Sequence, residues 1–274
     1  MPVSFDFARE TAVRRRADGA FEATLDPSWL VQKGPNGGYL AAIVLRAFVA
    51  LVDEPARLPR SLTVHYCAPA DDRPLVVHAA VERVGRSLTT CSARLVQGDT
   101  LVGLALGACS KPRPGPEFCD LVMPEVADPT TMPASVPPPD APPIARRWET
   151  RWAIGTLPFT GAVSREAVAG GWIRLPERQV ADASVIAAIT DAWIPPAFAR
   201  VRESFVVPTV DLTVHFRTVL PHTTMSADDA CLAVFRTRAA AGGFLEEDGE
   251  VWSPDGVLLA QSRQLAAIVT VPTP

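Results

Sequence analysis

Apolar residues in this chain follow two rhythms. From 35 to 52, "PNGGYLAAIVLRAFVALV" is apolar almost all round a helical repeat, which predicts a helix buried along most of its surface. Asn36 stands where an N-cap belongs. After it, apolar and polar positions alternate with the two-residue period of strands, in "SLTVHYCAP", "RPLVVHAAVERVG", "LTTCSARLVQ" and "TLVGLALGACS". "FEATL" (21–25) reads as a strand before the helix, and "GD" between the last two strands signals a tight hairpin.

The same order returns later. "ETRWAIG" and "GWIRLP" are strand-like, and "DASVIAAITDAWI" predicts a helix. "FVVPTVDLTVHFRTV", "ACLAVFRTRAAAG", "EEDGEVWSP" and "GVLLAQSRQLAAIV" predict strands, the last two meeting at the turn "PDG". The hexapeptides "SLTVHY" (61–66) and "DLTVHF" (211–216) mark the duplication most plainly. Between the halves, eleven of the 27 prolines fall in 112–143, where neither a helix nor a central strand can run. The chain therefore divides into 1–110, a proline-rich linker 111–146 and 147–274. A meander that curls round one buried helix is the hot-dog arrangement. Two copies predict an α+β double hot-dog, a pseudo-dimer within one chain.

Composition narrows the function. The net charge of −4 argues against nucleic acid as a partner, since phosphate binding needs concentrated Lys and Arg. Five cysteines, an odd number without zinc-ligand spacing, read as reduced buried thiols, and no metal is expected. "GPNGG" and "AGGF" lack the lysine and βαβ context of a phosphate loop, so no cofactor is expected either. No GxSxG elbow is present, which disfavours a serine hydrolase of the α/β type. The start "MPVSFDFARE" is unlike a signal peptide, and the apolar run 40–52 is too short to cross a bilayer. These features point to a cytoplasmic protein without membrane insertion.

Comparing the halves with each other shows where one is specialised. Matching the helices sets Asp191 against Arg46, and matching the final turns sets Gln264 against Gly107. The shift of 150 that aligns the hexapeptides sets Thr209 against Pro59. On strict alternation Thr209 shares a face with Asp211, Thr213 and His215. Each polar residue also has a plain structural reading: Asp191 as an exposed acid near a helix end, Gln264 as an amide bonded to nearby backbone. His65 and His215 recur at matched positions, so neither marks the asymmetry.

"GPNGGYLAAIVLRA", "RSLTVHYCAPA" and "ERVGRSLTTCSARLVQ", with "PTVDLTVHFR" and "DGVLLAQSRQLA" in the second half, resemble the type II (TesB-like) acyl-CoA thioesterases. That resemblance implies an acyl-CoA substrate and a water held and activated by an Asp, a Thr and a Gln, here Asp191, Thr209 and Gln264. It also suggests homodimers or larger assemblies. Gly37 and Gly38, at the start of the first helix, are candidate oxyanion donors, or else glycines that permit close helix–sheet packing. Arg83 and Arg86 are candidates for the phosphates of coenzyme A, or ordinary surface charge. The expected activity is thioester hydrolysis. A non-catalytic acyl-CoA-binding protein and a hot-dog enoyl-CoA hydratase are the alternatives.

Overall fold

The structure, a computed structural model, describes residues 5–160, 162–201, 203 and 205–270. The helices are α1 (Phe7–Glu10), α2 (Gly37–Val52) and α3 (Ala183–Ile189). The first half contributes β1 (Arg14–Arg15), β2 (Phe21–Ala23), β3 (Leu58–Tyr66), β4 (Leu75–Val84), β5 (Leu88–Gln97) and β6 (Thr100–Ser110). In the second half, β7 (Glu149–Ile154) and β8 (Ala167–Arg174) precede α3. After it come β9 (Phe205–Val206), β10 (Thr209–Phe216), β11 (Cys231–Thr237), β12 (Ala240–Ala241), β13 (Phe244–Trp252), β14 (Leu258–Ala267) and β15 (Val269–Thr270).

Thirteen of these strands form one antiparallel sheet in the order β1-β2-β4-β5-β6-β3-β10-β14-β13-β11-β8-β7, with β12 beside β13. The order is symmetric about its centre, where β3 meets β10. There the repeated hexapeptides pair with each other, Leu212 with Val64 and Val214 with Leu62. The hydroxyls of Thr63 and Thr213 meet at 2.9 Å close to the pseudo-two-fold axis. The duplicated strand is thus the seam of the molecule. One apolar core, holding Ile43, Phe48, Leu62, Ile186, Leu212 and Leu259 among others, takes in α2, α3 and the inner faces of both meanders.

Asn36 caps α2 by accepting the Tyr39 N–H, and Asp182 caps α3 by accepting those of Ser184 and Val185. The second helix is shorter than its apolar pattern suggests. The Thr190 hydroxyl donates back to the Ala187 carbonyl at 2.7 Å, and the Asp191 and Ala192 N–H groups bond three residues back rather than four. The last turn tightens and α3 stops at Ile189, so Asp191 lies in the turn that follows, not on the helix.

Bulges interrupt β3 between Pro59 and Ser61 and β10 between Thr209 and Asp211, the same place in each half. The extra residue in β10, Val210, reverses the alternation upstream of it. Thr209 therefore does not share the face of Thr213 and His215, as strict alternation requires; it turns to the inner face.

Residues 111–128 contain no helix or strand, in keeping with their prolines. The stretch 123–132 is nevertheless docked. Met123, Val126 and Met132 cover Trp172, Leu232, Val234 and Trp252 on the outer face of the second meander, and the Trp172 indole donates to the Ala127 carbonyl at 2.9 Å. This cover explains why β11 is buried on both faces.

Candidate active site

Three polar side chains from separate parts of the second half meet at the start of α2 from the first. β10 and β14 pair so that Leu212 faces Gln264, as Leu62 faces Gly107 in the first half. Gln264 thus occupies the inward position that the first half leaves to glycine. There the ring of Phe48 fills the space, and a Cβ on Gly107 would lie 2.7 Å from it. The bulge brings Thr209 beside Gln264, whose Oε1 accepts the Thr209 hydroxyl at 3.1 Å.

Asp191 enters from the turn after α3. Its Oδ2 accepts the Gly38 N–H at 2.9 Å and the Asn36 amide at 2.9 Å, and the same amide donates to the Asp191 carbonyl at 2.7 Å. Burial pushes the Asp191 carboxyl up to about 6, against the opposing pull of the Gly38 N–H, the Asn36 amide, the Gly37 N–H and the Gln264 amide. The Asp191 residue as a whole remains half-buried.

Gly37 and Gly38 are both needed for this approach. A Cβ on Gly37 would lie 2.9 Å from Asp191 Oδ2, and one on Gly38 would lie 2.6 Å from the Ala188 carbonyl. The Gly38 N–H, at the start of α2, is thus already bonded to Asp191.

Helix matching also needs adjustment. Counted from the N-caps, Asp191 lies nine residues after Asp182, and the ninth after Asn36 is Leu45, next to Arg46. In space the contrast of charge survives. Arg46 reaches the cap of α3, 3.6 Å from Asp182, as Asp191 reaches the start of α2.

Arg83 and Arg86 do not join the cluster. Their turn continues the row Val84–Thr89–Cys109–Pro59, at the start of β3, whereas β10 sets Asp211 against His65 near its other end. Six strand residues, roughly 20 Å, separate the two ends. His65 and His215 are exposed on the outer face.

Two participants escape the comparison of halves as it was drawn. Tyr66, which stands where the second hexapeptide has Phe216, donates its hydroxyl to the Gly37 carbonyl at 2.7 Å. Glu247, paired with Gln264 across β13 and β14, accepts the Gln264 amide at 2.7 Å. Its counterpart is Cys91, which faces Gly107. The same register, carried one strand further, would have found it.

This fold is that of a double hot-dog protein. The acyl-CoA thioesterase C-terminal domain family matches residues 124–268 and the N-terminal domain family residues 25–109, and the chain belongs to that acyl-CoA thioesterase family. It is similar to a hot-dog protein of unknown function from Alicyclobacillus acidocaldarius, 28% identical, with TM-score 0.86 over 99% of this chain and 100% of that one. It shares its fold with a proposed thioesterase II from Thermobifida fusca, 23% identical, with TM-score 0.81 over 98% of each chain. It shares it also with the acyl-CoA thioesterase II TesB2 of Mycobacterium marinum, 18% identical, with TM-score 0.77 over 97% of this chain and 99% of that one. No curated protein matches the sequence. Among the described residues no helix is long and apolar enough to cross a membrane.

Proposed function

We propose that this chain hydrolyses an acyl-CoA thioester with a water held by Asp191, Thr209 and Gln264. One observation carries the reading: polar positions where the duplication fails converge on one cluster, while their counterparts are apolar or bear the opposite charge. A thioester carbonyl is electrophilic enough for an oriented water to attack without a covalent enzyme intermediate. Thr209 and Gln264 orient that water, and Asp191 takes its proton as the oxygen bonds to the acyl carbon. The C–S bond then breaks, the acid forms, and the proton on Asp191 passes to the departing thiolate of coenzyme A.

The N–H groups of Gly37 and Gly38 serve the oxyanion in this scheme only as Asp191 releases them. Its protonation does that, because a neutral carboxyl is a poorer acceptor. Two residues along the same inner face from Glu247 and Gln264 lie Leu245 and Ala266, which pack with Phe198 and Phe205. This apolar wall suits an acyl chain.

Purified protein offered a panel of acyl-CoAs with a thiol reagent tests the reading. Released thiol supports it. Binding without release would make the chain an acyl-CoA-binding protein, and loss of enoyl absorbance would make it a hydratase.

A further inference from the structure

On the inner face of β13, Glu247 stands in a row with Leu245, Gly249 and Val251, and it is 4% exposed. A carboxyl in such a row is costly unless it is bonded or neutral. Its Oε1 accepts the Gln264 amide, while Oε2 is buried with no partner among the described residues. The charged groups facing it are acidic: Asp191 across the site, and Glu246 and Asp248 beside it on its own strand. The nearby basic residue of β14, Arg263, is turned outward and bonded to Asp248, and that of β11, Arg236, is paired with Glu250.

We propose that Glu247 is a positioning residue for the hydrolytic water, acting through Gln264. The proposal rests on the thioesterase reading above. The Gln264 amide oxygen takes the Thr209 hydroxyl on one lone pair and keeps the other for the water, and of its two N–H groups one is bonded to Glu247 and the other turned to Asp191. Asp191 ceases to be an acceptor-only partner once it takes the water's proton. Glu247 then keeps the amide in place through the reaction. Burial holds the Glu247 carboxyl neutral, pushed up to about 8. A neutral acid here holds Gln264 without setting a second negative charge beside Asp191.

Glu247→Gln keeps an acceptor of the same shape, and Glu247→Ala removes it. Expected for Glu247→Ala is a loss in kcat of about tenfold or more with KM within about twofold, restored to within about threefold by Glu247→Gln. In a Gln264→Ala background, Glu247→Ala should cost little more. Wild-type kcat in Glu247→Ala, or equal loss in both variants, would overturn the proposal.

A second measurement needs no substrate. A carboxyl with a raised folded pKa contributes stability that is present below its ordinary value and is lost as pH rises towards 8. The wild type should therefore lose melting temperature relative to Glu247→Gln between pH 5 and 8.5. A difference that does not change with pH would show a charged Glu247 and overturn its neutral role. A wild type that hydrolyses no acyl-CoA would sink the thioesterase reading instead, and the melting data would still decide the state of Glu247.

Discussion

At the scale of the residue, Asp191 is governed by two opposed effects. Burial favours its neutral form, while the donors of Gly38, Asn36, Gly37 and Gln264 favour the carboxylate, and the balance falls at about 6. A base must be ionised to accept a proton, so kcat/KM should rise with pH through about 6 and level off above it. Asp191→Asn should keep the fold and lower kcat by orders of magnitude. A rate that is measured across pH 5–8 in the wild type and shows no acid limb would remove Asp191 from the proton transfer. Thr209→Val keeps shape but loses the hydroxyl bonded to Gln264, and a fall in kcat of about tenfold or more is expected with thermal stability little changed. His215→Ala, altering a side chain on the outer face, should leave turnover near the wild-type value.

At the scale of the element, the site depends on small departures from regularity. The periodicity of "TVDLTVHF" is legible as a strand, but the bulge at Val210 depends on pairing with β14 and leaves no local signal. The end of α3 is similar: "SVIAAITDAW" looks helical throughout, and a back-bonded Thr190 cuts it short. What the sequence did show were the cap of α2, the hairpin turns and the positions where the halves differ. Gly38 was ambiguous between donor and packing roles because its neighbour, the Ala188 carbonyl, comes from the other half. Gly38→Ala forces backbone against backbone there, and a loss of about 1–3 kcal/mol is expected by denaturant unfolding. Activity should fall with it, because the same shift moves the N–H from Asp191. Gly115→Ala, with nothing within 4 Å of the added carbon, is the control and should be close to neutral.

At the scale of the whole molecule, duplication explains how one chain builds a single asymmetric site. The pseudo-two-fold axis offers two equivalent positions. One carries Asp191, Thr209, Gln264 and Glu247; the other is closed by Phe48 over Gly107, with Arg46 set against Asp182. Each position combines residues of both halves, so the two must be held in register. A buried network far apart in sequence contributes to that. Arg147, just after the linker and 0% exposed, donates to Glu10 at 2.7 Å and to Glu177 at 3.2 Å, and its guanidinium lies 4.6 Å from the Trp29 ring. Trp29 itself donates to Glu10 at 2.9 Å, and Ile144 donates its N–H to the Leu30 carbonyl just ahead of α2. None of this was legible in the sequence, where Arg147 is one charge in a proline-rich stretch and its partners lie 137 and 30 residues away. Removing one partner of a buried ion pair leaves the other charge without compensation, at a cost of about 3–5 kcal/mol. Arg147→Ala should lower stability by that order in denaturant unfolding, since Glu10 would remain buried. Because one core joins both halves, unfolding should stay a single transition. Two separate transitions would mean that the network, and not the shared core, holds the pseudo-dimer together.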